Sequence, residues 1–260
     1  MSTASNAPLL SCNGLNIAVH ECGLVQQLSL ALHAGQVLAV LGRNGAGKSL
    51  TLHTLAGLRP KHSGSVQLQG QELAQLKRRR IAQQLSFVAQ DSDEPFPVTV
   101  LECVLSGRHP HLDFWHWEST QDEQIAREAL AAVDLADFAA RRVDTLSGGE
   151  RRRVAIATGL AQQTPLFILD EPTNHLDPQH QLLIMKLLRQ RAEQGCAIIM
   201  SLHDPSLAAR FTSHSLLLFG NGEWRFGSNS ELLTAEVLQS LYRTPILPMH
   251  TAVGAHFTFL

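Results

Sequence analysis

Three runs of uninterrupted apolar residues stand out along the chain: Val37-Leu38-Ala39-Val40-Leu41, Leu166-Phe167-Ile168-Leu169 and Ala197-Ile198-Ile199-Met200. Short runs without alternation fit strands buried on both faces, as in a parallel sheet covered by helices. Leu85 to Val88 and Ser65 to Leu68 predict two more strands, and Leu15 to Leu32, which alternates loosely between Gly14 and Gly35, predicts short ones. Helical spacing occupies residues 48–57, closing near Gly57 with Pro60 beyond, and residues Pro178 to Gln194, stopped by Gly195. A more polar helix is predicted over Lys77 to Gln84. From Asp91 to about Leu160 the texture changes: Pro95, Pro97 and Pro110 punctuate it and the rest is helical, as in Asp122 to Val133. The pattern predicts an α/β fold with a largely parallel sheet and a helical insertion over residues 91–160. The stretch after Gly227 carries the weakest pattern, and no internal repeat is present.

Composition narrows the picture. A chain of 260 residues with 44% hydrophobic residues has enough apolar material for one large domain. The net charge of −2 gives no reason to expect nucleic acid as a partner. Cys12, Cys22, Cys103 and Cys196 lack C-x-x-C spacing and fit reduced thiols better than a disulfide frame or zinc site. Residues Met1 to Leu10 do not have the form of a secretory signal, and Leu216-Leu217-Leu218-Phe219 is too short to span a bilayer. A role at a membrane would need another polypeptide to hold the chain there.

The candidate chemistry begins between the first apolar run and its helix. Gly42-Arg43-Asn44-Gly45-Ala46-Gly47-Lys48-Ser49 fits G-x-x-x-x-G-K-[ST] at every fixed position. Glycines let backbone N–H groups converge on phosphate, and the helix start at Lys48 to Leu50 adds partial positive charge. Lys48 can reach the β- and γ-phosphates, and the Ser49 hydroxyl can take a place on Mg²⁺. The run Leu166 to Leu169 ends in Asp170-Glu171, which puts Asp170 at a strand tip where it can hold Mg²⁺ through water and leaves Glu171 to position or deprotonate attacking water. A third element is Leu146-Ser147-Gly148-Gly149-Glu150. Ser147 and Glu150 have capping-box spacing, so a plain helix start accounts for them, but two adjacent glycines at a helix N-terminus also suit a second phosphate-binding surface.

In these three elements the chain resembles the ATP-binding subunits of ABC transporters. Gly42 to Ser49 matches that family's first phosphate motif, Leu146 to Glu150 its signature, and Leu166 to Glu171 its second phosphate motif with the catalytic glutamate. Asn174-His175-Leu176-Asp177 resembles the loop that touches the opposite protomer, Gln90 falls where the family carries a lid glutamine on Mg²⁺, and His203 matches the switch histidine at the γ-phosphate. The resemblance implies a P-loop NTPase fold of the ABC type in one domain over residues 1–260, with a small antiparallel β subdomain and an inserted α-helical subdomain. It implies an ATPase using Mg²⁺, working as a head-to-tail homodimer in which Ser147, Gly148 and Gly149 of one protomer complete the Lys48 site of the other. The family's adenine-stacking aromatic is missing: ungapped spacing puts its place near Val19 or His20, so His20 could stack or Val19 could make an apolar contact.

With one cassette and no spanning segment, the resemblance implies two separate membrane permease subunits and, indirectly, a periplasmic substrate-binding protein, with this chain peripheral at the cytoplasmic face of a bacterial inner membrane. Phe87 to Gln90 and Val104 to His111 resemble the importer subgroup for iron chelates, haem and vitamin B12, with the haem importers nearest. His109, His111 and His116, with Trp115 and Trp117, invite a haem-site reading. It is rejected because the resemblance implies an ATPase subunit that does not touch the cargo, and because such a surface is ordinary contact material for a partner's helix. The segment Asp91 to Trp117 is instead expected to dock the permeases. The basic runs Lys77 to Arg80 and Arg151 to Arg153 are expected to be solvated helix faces. A soluble ABC protein of DNA repair or translation, or a regulatory module without turnover, are the readings from other classes. The first usually carries coiled-coil insertions or zinc cysteines that this sequence does not show, and the second has no use for Glu171 and His203.

Overall fold

A computed structural model describes residues 7–19, 22–90, 97–113, 117–251 and 254–260. The chain opens with two long antiparallel strands, β1 (Leu10–Val19) and β2 (Cys22–Leu32), where the sequence predicted only short ones. The difference comes from register shifts between Cys12 and Leu15 and again near Ile17, which interrupt the alternation without ending the ladder. After β3 (Val37–Gly42) and α1 (Lys48–Leu55), β4 (Ser63–Leu68) returns to pair with β1, and β5 (Gln71–Glu72) completes a sheet of order β2-β1-β4-β5. The polar helix shrinks to α2 (Arg78–Ala82), leading into β6 (Leu85–Val88).

The region between β6 and the next strand is helical: α3 (Val100–Leu105), α4 (Thr120–Ala132) and α5 (Gly148–Ala161). Each starts at a reciprocal capping box, Thr99 with Glu102, Ser119 with Asp122 and Ser147 with Glu150, so the sequence itself fixes all three starts. Arg108 ties them together: its guanidinium donates to Asp122 Oδ1 (2.9 Å) and to the Ala161 carbonyl (2.8 Å). Both members of this pair are buried.

The chain then runs through β7 (Leu166–Leu169), α6 (Pro178–Glu193), β8 (Ala197–Ser201), α7 (Pro205–Phe211), β9 (His214–Leu218) and β10 (Trp224–Ser228). Among the described residues the main sheet has order β10-β9-β3-β8-β7-β6, parallel except for β10. β3, β7 and β8 are buried along their whole length, which accounts for their unbroken apolar runs. One face packs with α1 and the antiparallel sheet, the other with α3 to α7. The weakly patterned tail forms α8 (Asn229–Leu232), α9 (Ala235–Tyr242) and a hairpin of β11 (Ile246–Thr251) with β12 (Gly254–Phe259). The hairpin lies on α7, where the Phe257 amide donates to Ser206 Oγ (3.0 Å).

Candidate active site

The buried strand β3 ends at Gly42, and the loop turns into α1 through Ala46 N donating to the Arg43 carbonyl (3.1 Å) and Thr51 N to the Gly47 carbonyl (2.8 Å). Gly47, at φ 96°, sits in left-handed backbone that residues with a Cβ rarely adopt, and this turn aims the first amides of α1 into a cleft. Lys48 is 6% exposed, and its Nζ donates to the Gly42 and Arg43 carbonyls at 2.9 and 3.4 Å. Both acceptors are neutral, so the charge is presented whole to the cleft. Burial pulls the Lys48 pKa down from its ordinary value, while the nearby Glu171 and Asp170 carboxylates push it back up.

Opposite stands the end of β7. Asp170 is buried, and its Oδ1 accepts from Ser201 Oγ at 2.5 Å; the same Ser201 oxygen accepts the Glu171 amide at 2.7 Å. Glu171 takes φ 50°, a left-handed conformation for a residue with a long side chain. Both of its carboxylate oxygens are held, Oε1 by His203 Nε2 at 2.5 Å and Oε2 by the Asn174 amide. Ser201 and Asn174 were not identified from sequence in these roles. The signal for Ser201 is a polar residue closing an apolar strand directly beside an acid-tipped one; Asn174 gives no comparable signal, because its contact depends on how the loop folds back.

Together these elements bound a cleft of about 500 Å³. Asn44, Gly45, Gly47, Lys48, Ser49 and Leu50 form one wall, and Gln90, Glu171 and His203 face them. Gly42 and Ala46 are buried under the loop, Arg43 is exposed on it, and Asp170 lies behind Glu171. A buried cation and converging amides suit a polyphosphate; Ser49, Gln90 and Asp170 are the hard oxygen donors that suit Mg²⁺. His20 lies outside the described residues, as do Trp115 and His116. Among the described aromatic candidates, His111 Nε2 contacts the Gln162 carbonyl (2.8 Å), and His109 pairs with Glu118.

Ser147, Gly148 and Gly149 are elsewhere, in a second cleft of about 500 Å³ that also takes in Arg153, His175, Asp177 and His180 and shares no lining residue with the first. Ser147 Oγ accepts the Glu150 amide (3.2 Å), and Glu150 Oε2 accepts the Ser147 amide (2.7 Å). That amide holds the Glu150 carboxyl below its ordinary pKa. The two glycines differ. A Cβ on Gly149 would stand 2.8 Å from the His175 carbonyl, so close packing inside the protomer requires it, whereas the nearest atom to a Cβ on Gly148 is 3.9 Å away.

The basic run at the start of α5 departs from the solvated face expected of it. Arg152 and Arg153 are 6% and 7% exposed. Arg153 donates to the Val133 and Asp134 carbonyls (2.9 and 2.8 Å); Arg152 donates to the carbonyls of Ala89, Gln90 and Asp170. Arg79, in the other run, is tied to the Pro110 and Leu112 carbonyls. Consecutive residues on a helix lie about 100° apart. Here Arg152 and Arg153 both turn inward, toward different carbonyls, whereas Lys77 to Arg80 is exposed as expected.

A family model described as ABC transporter matches residues 25–174. The hemin import ATP-binding protein HmuV of Pseudomonas fluorescens is 40% identical over 225 residues, 85% of this chain and 87% of that protein. The iron(3+)-hydroxamate import ATP-binding protein FhuC of Bacillus subtilis is 35% identical over 235 residues, 90% of this chain and 87% of that one. Among solved structures, an inward-facing ABC transporter assigned to the metal-chelate type superposes with TM-score 0.84 at 30% identity, covering 97% of both chains.

Proposed function

The chain belongs to the ABC transporter family, and from that premise we propose that its ATP hydrolysis powers the import of haem (hemin) across a bacterial inner membrane. The ATPase half rests on one observation: Lys48, Gln90, Glu171 and His203, far apart in sequence, line a single cleft at the start of α1. Lys48 and the amides of residues 44–50 bind the phosphates of ATP. Glu171 accepts the proton of the attacking water, while His203 and Asn174 fix the carboxylate so that it enters the reaction already oriented. Mg²⁺, for which Ser49, Gln90 and Asp170 are the fitting donors, neutralises phosphate charge when bound.

The second cleft serves a second copy of the chain. Ser147, Gly148 and Gly149 present a helix N-terminus with one open glycine, and nothing anionic of this protomer's phosphate cleft lies there. Two protomers meeting head to tail bring each such face to the other's ATP. Among the described residues no helix is long and apolar enough to cross a membrane, so the reading includes two permease subunits and, through them, a substrate-binding protein. Residues 91–160 form the inserted helical unit in this reading, and its segment 91–117 docks the permeases. The 90% exposed Trp117 at the end of that segment supports the docking. The protein then sits peripherally at the cytoplasmic face.

The identity with hemin importers favours haem, and the similar match to a hydroxamate importer makes a ferric siderophore the alternative, with vitamin B12 behind it. Reconstitution with the cognate permease and binding protein, assayed for ATP-dependent uptake of haem, a ferric siderophore and cobalamin, tests the cargo. Uptake of haem alone supports the reading; uptake of the siderophore or cobalamin without haem replaces it.

A further inference from the structure

The peptide unit between Asp170 and Glu171 is gripped from both sides. Its N–H donates to Ser201 Oγ at 2.7 Å, and its carbonyl accepts from the Arg152 guanidinium. Glu171 follows directly in left-handed backbone, which a non-glycine residue keeps only where the surroundings over-determine it. The other arm of Arg152 reaches the carbonyls of Ala89 and Gln90 (3.3 Å for the latter), the backbone that carries Gln90 into the phosphate cleft. Arg152 itself rides on α5, the helix whose first turn is the Ser147 face. One buried guanidinium thus touches the elements behind Gln90 and Glu171 while belonging to the helix of the opposite cleft. The planar guanidinium points one arm at each of two elements, Nη1 at the Ala89 and Gln90 carbonyls and Nη2 at the Asp170 carbonyl. A lysine has three N–H donors but on one nitrogen, and a glutamine has two, so neither spans the two elements in the same way.

We propose that Arg152 is a positioning residue for hydrolysis, holding the Glu171 peptide and the Gln90 loop in register with α5, so that a displacement of α5 reaches the hydrolytic carboxylate within the same protomer. The proposal rests on the assignment of Glu171 to water activation. Its main effect falls on the hydrolytic step, because the Lys48 loop that binds phosphate makes none of these contacts and the Mg²⁺ donors Gln90 and Asp170 are touched at their backbone carbonyls.

The test uses the full-length chain with Mg-ATP. Arg152→Gln is expected to lower kcat roughly 10- to 100-fold, the scale of a misplaced catalytic group, with KM and the equilibrium affinity for a fluorescent ATP analogue held within about twofold. Arg152→Lys, which keeps the charge and loses the fork, should restore part of the rate. Turnover is expressed per titrated nucleotide site, so loss of folded protein does not count as an effect. Ser201→Ala loosens the same peptide from its other side, and its effect should be less than additive with that of Arg152→Lys. Unchanged kcat per site in Arg152→Gln, or a KM that rises with the fall in kcat, overturns the proposal. So does strict additivity with Ser201→Ala. A normal rate in Glu171→Gln sinks the site assignment instead, which separates the two failures.

Discussion

The cleft at the start of α1 is lined with charge: Lys48, Glu171 and His203 project into it and engage one another or nearby backbone. The cleft at the start of α5 has similar volume, about 500 Å³, but its centre is a capped helix end whose serine hydroxyl and glutamate are already engaged with each other's amides. Both are glycine-rich helix N-termini. The first sets the buried cation Lys48 against the acid Glu171, which the proposed function reads as the groups of a reaction; it reads those of the second as groups of recognition. The sharpest difference is in the acids. Glu171 is held by side chains that leave it facing the cleft, while Glu150 is folded back onto its own helix start. A glycine-rich helix start is therefore not a catalytic site by itself; the acid-tipped strand opposite it makes the difference.

Substitutions on the two sides should differ accordingly, and the largest effect belongs to the charged one. Lys48→Ala removes a buried cation aimed at phosphate; ATP turnover should fall roughly 10²- to 10³-fold or more, and nucleotide affinity should fall with it. Equilibrium binding of labelled ATP checks this, and binding at full strength would break the contrast. Next comes Glu171→Gln, expected to slow turnover roughly 10²-fold or more while ATP binding persists. An unchanged rate would exclude Glu171 from the chemistry.

On the other side, the two glycines of the signature sharpen the comparison. Gly149→Ala places a methyl against the His175 carbonyl and should cost about 1–3 kcal/mol of stability, read as a lower Tm. Gly148→Ala meets nothing closer than 3.9 Å within the protomer, so its Tm should stay put while turnover drops. Equal Tm shifts would mean that both glycines serve internal packing alone.

The smallest effect concerns the base of the helical region. The Ser119 hydroxyl and amide and the Arg108 guanidinium hold the Asp122 carboxyl at about 2. A folded-state pKa below the ordinary carboxylate value near 4 stabilises the protein fully above that value, and the contribution is lost as pH falls from about 4 through 2. Thermal melts between pH 5 and 2 should therefore show a steeper acid decline for the native chain than for Asp122→Asn. Parallel declines would contradict the assignment.

Much of this arrangement was legible in the chain. Unbroken apolar runs marked β3, β7 and β8 because strands covered on both faces need no polar alternation, and the Ser147-x-x-Glu150 spacing marked the start of α5 because capping is local chemistry. The glycine loop, Lys48 and Glu171 were readable because glycine spacing and acid-tipped strands are also local, whereas Gln90 and His203 were placed only by the resemblance to the family. What sequence did not reveal depends on the third dimension. Arg152 and Arg153 read as solvent-facing because a run of arginines says nothing about the carbonyls waiting just past the ends of β6, β7 and α4. Ser201 and Asn174 matter only once β8 lies beside β7 and the loop after Glu171 turns back on it. The tail from Asn229 packs on elements distant in sequence, α8 on β9 and β10 and β12 on α7, and a weak local pattern could not announce that.

The central claim is that two copies of the chain close over ATP, each supplying its Ser147 face to the other's Lys48 loop. Inter-chain cross-linking tests it most directly. Chains carrying Asn44→Cys and chains carrying Ser147→Cys, both in a Glu171→Gln background, are mixed with Mg-ATP and exposed to a mild thiol oxidant. The account predicts a covalent pair joining one chain of each kind, formed with ATP and lost when nucleotide is removed. If the only products are pairs independent of ATP, or none at all, the clefts do not meet across a seam and the shared-site account is wrong.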